Sequence, residues 1–223
     1  MLANRMLMAA SGALPDATIV FTDSSVDASN LTTYTFSTQA IGTAETNRTV
    51  LVATTGQSGG TPVPTVVSMT IGGVTAALAF QVNRSSVNYP GLEIWAAEVP
   101  TGTTADVVIE WSKALSRTGV GVFAAYGIGA VHDTDSDTSS STTLSATIDI
   151  PDGGVALGAG MSNTNSTSTW TNLTEKYDEI TEGTSYQTGA SDAFATAELA
   201  RTITTQTAAS GDEMLAVVSW GPG

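Results

Sequence analysis

Cysteine is absent from the 223-residue chain, which excludes disulfide bridges and thiolate-bound metal outright. Basic residues are scarce: 7 Lys and Arg stand against 21 Asp and Glu, a formal net charge of −14. A surface of that sign repels phosphate backbones and anionic headgroups, so nucleic acid and lipid surfaces are not expected partners. Aromatics make up only 6% of residues, so the core must be built from Val, Ile, Leu and Ala. No apolar run is long enough to span a bilayer as a helix, and membrane insertion is not expected. Histidine occurs once, at His132. Helical periodicity is weak everywhere; the best helix candidates are the N-terminal segment and 190–200, the latter with Ser191 as cap and Asp192 in the first turn.

What is present is β texture. Short runs rich in β-branched residues recur from Ala17 onward, among them 17–22, 32–38, 48–54, 66–71, 76–82, 92–99 and 105–111. They continue through 119–126, 143–150, 155–161, 185–189, 201–206 and 214–220. Glycine- and proline-bearing turns separate them, such as Ile71-Gly72-Gly73 and Pro151-Asp152-Gly153-Gly154. Many short strands at this spacing predict an all-β, jelly-roll-like antiparallel β-sandwich. The polar stretch 133–143 reads as a long loop within one domain spanning 15–223. An echo links 50–60 with 155–165, each an apolar strand followed by a Gly/Ser/Asn-rich turn. It suggests equivalent places in facing sheets but falls short of a repeat.

Ahead of this domain, residues 1–14 carry three methionines and three leucines. The apolar stretch after Arg5 is too short for a secretory h-region, so the segment reads as mature protein. Flexible methionines suit irregular apolar grooves. The segment is therefore expected to dock, through Leu2, Met6, Leu7 and Met8, on its own β-domain or on a neighbouring subunit, with an ordinary strand or turn packed on the domain as the alternative.

Chemical constellations are weak. His132 adjoins Asp133, but no Gly-x-Ser-x-Gly elbow accompanies it. Asp133, Asp135 and Asp137 alternate as in a calcium loop. Thr138 stands where the turn glycine belongs and Leu144 where the bidentate glutamate belongs, so a solvated loop is expected, with an adventitious cation as the alternative. Glu93, Glu98, Glu110, Glu175, Asp178 and Glu179 could supply a glycosidase pair if two faced each other across roughly 5–9.5 Å. Trp95, Trp111 and Trp220 lie in strong strands and are expected in the core, whereas Trp170 and Tyr177 sit in polar sequence and are candidates for surface ligand contact. The sequons at Asn30, Asn47, Asn165 and Asn172 follow from a Thr/Ser-rich composition. No catalytic residue, cofactor or metal is assigned.

Several stretches together carry a resemblance: the leader Asn4-Arg5-Met6-Leu7-Met8-Ala9-Ala10-Ser11-Gly12, then 71–76 (IGGVTA), 93–102 (EIWAAEVPTG) and 170–175 (WTNLTE). In strand-and-turn texture the chain resembles the small β-sandwich structural proteins of tailed bacteriophages, such as head decoration, fibre or tail-tip proteins. The resemblance implies a non-enzymatic virion protein, an N-terminal anchor binding other capsid or tail proteins, and a homo-oligomer such as a trimer. Host-surface glycan is a further implied partner. The competing expectations are a carbohydrate-binding module and a β-sandwich glycoside hydrolase or lyase.

Overall fold

The computed structural model describes residues 16–58, 62–84, 90–164, 166–183 and 185–223. Their regular structure is entirely β, in four antiparallel sheets, with no helix among the described residues. The first half of the chain supplies β1 (Thr18–Asp27), β2 (Leu31–Ala40), β3 (Arg48–Gln57), β4 (Val66–Ile71), β5 (Val74–Thr75), β6 (Ala77–Asn83), β7 (Pro90–Glu98), β8 (Thr104–Leu115) and β9 (Arg117–Tyr126). The second supplies β10 (Ile128–Ser139), β11 (Thr143–Ile150), β12 (Val155–Ser162), β13 (Ser168–Thr171), β14 (Glu175–Glu182), β15 (Ser185–Ala193), β16 (Glu198–Thr207) and β17 (Glu213–Pro222).

The two halves follow one plan. The first forms a five-stranded sheet, β1-β9-β3-β7-β6, and a smaller one, β2-β8-β4-β5; the second forms β10-β17-β12-β15-β14 and β11-β16-β13. Read in register, β10 takes the place of β1 and β17 that of β9, and only the two-residue β5 lacks a counterpart. Pairing is nested in both: β1 with β9, β2 with β8 and β3 with β7, then β10 with β17, β11 with β16 and β12 with β15. A local irregularity repeats as well, since a register shift falls at Thr22 before Asp23 and another at His132 before Asp133. The sequence echo marks β3 and β12, the central strands of two sheets that do face each other.

Three apolar layers hold four sheets together. Tyr34, Met69, Ile71, Ile109 and Trp111 close the first sandwich against Val50, Val52 and Val122. Leu144, Ile148 and Ile203 close the second against Leu215 and Val217. Between the five-stranded sheets lies a third layer, with Leu51, Ile94 and Phe123 on one side and Leu157, Met161 and Trp220 on the other. The inner sheets are thus covered on both faces. Their central strands are buried almost throughout, as in β12 (VALGAGMS), whereas outer β11 alternates between exposed and buried residues. A near-continuous apolar run against strict alternation is the difference two-sided burial demands.

The stretch 133–143 departs from its expected loop: residues through Ser139 form β10. Its aspartates hold the neighbouring sheet. Asp133 Oδ2 accepts the Asp149 N–H at 2.7 Å, Asp135 Oδ2 that of Thr147 at 2.6 Å, and Asp137 Oδ2 that of Ser145 at 3.0 Å. Side chains two residues apart share a strand face, so alternate carboxylates meet alternate amides of β11 where no backbone ladder joins the two edges. Asp23 does the same once in the first half, accepting the Ala40 N–H at 2.8 Å. The helix expected over 190–200 is also overturned. Its first part is the end of β15 and its last part the start of β16. Asp192, the expected helix-start residue, accepts the Thr174 N–H instead.

Tyr177 fixes the two inner sheets against each other. Its ring stacks on Phe21 with centroids 5.3 Å apart and lies 6.2 Å from that of Phe123. It runs over Gly189 and Gly121, where a Cβ would overlap the phenol. Gly121→Ala should therefore cost about 1–3 kcal/mol, measured by chemical denaturation; an unchanged midpoint would show that the sheets can part without loss. Asp135→Ala should cost about 1 kcal/mol and speed hydrogen exchange at the Thr147 amide, and Asp135→Asn, which keeps an acceptor oxygen, should lose less.

Candidate functional site

The expected site residues do not converge. Leu2, Met6, Leu7 and Met8 lie outside the described residues. Tyr177 is buried and offers no face to a surface ligand; polar sequence around it misled because its strand neighbours alternate outward while the ring turns into the inter-sheet core. Trp170 is half-buried. Its indole N–H donates to Thr188 Oγ1 at 2.8 Å, and its ring covers Gly158 and Gly160 beside Leu173. Trp95, Trp111 and Trp220 are core residues as expected. His132 is exposed at its bulge. The Asp133–Asp137 carboxylates are committed to backbone amides, which corrects the calcium-loop comparison. Among the described residues no group of three or more His, Asp or Glu is placed to hold a metal.

The acidic candidates fall into different settings. Glu93 is fully buried in the first sandwich. It accepts from the Val66 N–H at 2.8 Å, Gln81 Nε2 at 2.7 Å and Trp95 Nε1 at 2.8 Å. Burial pushes its carboxyl above the ordinary range, and the three donors pull it back. Glu110 is exposed and accepts from Ser68 Oγ. Asp178 and Glu179 are neighbours in β14 and so point to opposite faces. Asp178 accepts the Ser168 N–H, whereas Glu179 accepts from Ser24 Oγ at 2.6 Å and Gln187 Nε2 at 3.2 Å. Burial raises Asp178 to about 6, with nearby Glu175 adding to the effect.

Sequence reading passed over two polar clusters between the halves. In one, buried Gln187 sits where a Cβ on Gly119 would go and reaches the carbonyls of Ser25 and Val120 at 3.3 Å. In the other, Arg84 at the end of β6 bridges to Asp212 at 3.2 Å and donates to the carbonyls of Ser139 and Glu213. The buried Glu213 carboxylate accepts from Ser162 Oγ at 2.9 Å. Burial lifts it to about 7, against the lowering pull of its hydroxyl partners and of Arg84. These groups are saturated by partners within the chain and leave no free nucleophile beside an acid.

A concave feature of suitable size lies at the seam of the halves. A groove of about 680 Å³ runs along the ends of β3, β7 and β6 beneath the start of β10. Its walls are mainly small and apolar, including Ala77, Ala96, Ala97, Ile128 and Ala130, with Glu98 its one charged side chain. That volume lies within the range of small-molecule sites. Lining of this kind recognises apolar shape and supplies no acid–base pair. The sequence signal for it was the cluster of small residues at Ala96-Ala97 and Gly127–Ala130, which singly look like strand filling. Comparison of the chain with protein families, with curated proteins and with solved structures found no match.

Glu213 yields a pH prediction. A carboxyl raised from 4.5 to about 7 in the folded state retains a proton that the unfolded chain has released. Its contribution to stability is full below about pH 4.5 and is lost as pH rises through about 7. Glu213→Gln should therefore flatten the fall in denaturation midpoint across this window; a pH profile parallel to that of the unsubstituted protein would refute the assignment.

Proposed function

We propose that the chain is a non-enzymatic structural protein of a tailed-phage particle, exposed as a decoration, fibre or tail-tip component, and that each half is a jelly roll. The observation that carries the reading is the nested pairing of strands in two sandwiches fused back to back through an apolar core. Strands that wrap as nested pairs are how a jelly roll is made, and jelly rolls recur in capsid and lectin domains. Fusion through two doubly covered sheets gives a stiff body that presents its outer sheets in opposite directions, which suits display on a particle. A net charge of −14 favours solubility of such a body.

In this reading residues 1–14 are the anchor to capsid or tail proteins, and the displayed protein is a homo-oligomer, with a trimer as the natural symmetry. Contact with host glycan belongs to the same reading, although Tyr177 no longer supports it and Trp170 alone remains of the aromatic platform. Antibodies raised against residues 16–223 test the assignment. They should label purified particles from cells carrying the gene, and the chain should co-sediment with those particles at fixed stoichiometry. Particles that lack the chain, or that lose it completely on a salt wash, would count decisively against a structural role.

A further inference from the structure

The seam groove has walls but no described segment within it. Its floor of alanines, with Ile128 and Trp220, suits aliphatic side chains of uneven length. Its only charged lining residue is Glu98, which makes no ion pair among the described residues. The fifteen residues before Asp16 contain Leu2, Met6, Leu7 and Met8 and a single charge, Arg5. They match the groove in both respects: flexible thioethers fit irregular apolar space, and the one cation complements the one carboxylate.

The path is short. A Cβ on Gly153 would lie 2.7 Å from Asp16 Oδ1 and 3.2 Å from Pro222 Cγ, so the first described residue sits beside the end of β17. Gly223, the next residue along, lines the groove. A smaller recess of about 170 Å³ past Asn47 and Gly127 adjoins it, sharing Thr49, Glu98, Ile128 and Gly223. Its one arginine, Arg48, is spent on the carbonyls of Val99, Gly42 and Thr101 and does not compete for Glu98. The seven residues between Met8 and Asp16 span up to about 25 Å when extended, and Asp16 already lies beside the strand whose end reaches the groove. A tethered segment also acts at an effective concentration near millimolar, which favours the molecule's own leader over that of a second copy.

We propose that the seam groove is the docking site of the chain's own N-terminal segment, Leu2 to Met8, in the free protein. Binding to a particle would then require the leader to leave the groove, so the two destinations compete. The inference concerns the free protein and does not depend on the particle assignment; a chain absent from particles would leave it standing.

The test places the photocrosslinking residue p-benzoylphenylalanine at Leu7 in the full chain. Equal parts of ¹⁴N- and ¹⁵N-labelled protein are mixed and irradiated, and the cross-linked peptides are mapped by mass spectrometry. The expected result is cross-links from position 7 to groove residues such as Ala77, Ala97 or Ala130, within molecules of a single isotope. Mixed-isotope cross-links to the groove would assign it to a second copy and overturn the proposal, as would cross-links elsewhere or none. Ala77→Trp then fills the groove at an exposed position, and an unchanged circular dichroism spectrum verifies its fold. It should abolish the groove cross-links; their persistence would overturn the site.

Discussion

Two sheets covered on both faces govern this structure. A strand buried from both sides has no solvent to receive its backbone groups or its side chains. Each amide and carbonyl must find a partner in the ladder, and each residue must be small or apolar enough to pack. β3, β9, β12 and β17 meet that demand with Val, Ala, Gly and Leu. Several large side chains enter where glycine makes room: Tyr177 over Gly121 and Gly189, Gln187 at Gly119, Trp170 over Gly158, and Trp111 over Gly56. Polar groups in the interior are tolerated where partners saturate them, as Glu93 is by three donors.

Sheet edges are the weak point of such an arrangement, because an unpaired edge invites another chain. Aspartate manages several of them. Asp23, Asp133, Asp135 and Asp137 close the corner between an inner and an outer sheet, while Asp178 and Asp192 accept amides at the opposite side of the second sandwich. Asp106 and Asp149 take the N–H groups of Thr38 and Ala200, two non-glycine residues held at positive φ. Part of the acidic excess is therefore structural: a carboxylate is a short acceptor that can satisfy an edge amide from an adjacent strand and still meet water. This use of aspartate also removes the appeal of the alternating Asp run as a cation site.

The groove lies where the halves meet. Duplication of one plan creates a seam, and a seam between packed sheets leaves a groove wherever the two sheets end at different heights. The groove is lined by backbone and small side chains, so its selectivity is for apolar shape with a single carboxylate at its wall. Chemistry of that kind suits holding a segment of chain.

The sequence by itself determined the β class, most strand positions, the absence of disulfides, and the strongly buried places of Trp95, Trp111 and Trp220. These follow from alternation, β-branched content and turn residues, all local. It also held the clue to the layering, in the contrast between runs such as VALGAGMS and the alternating TLSATIDI, and an echo of the duplication between β3 and β12. Only the tertiary structure decided that there are four layers, that the Asp133 stretch is a strand, that Tyr177 points inward, and that a groove opens at the seam. Each of those depends on which face of a strand meets which neighbour. A polar run looks the same in a loop as along an edge whose carboxylates have amides to receive, and a tyrosine in polar sequence shows nothing of the two glycines, far apart in the chain, that make room for its ring.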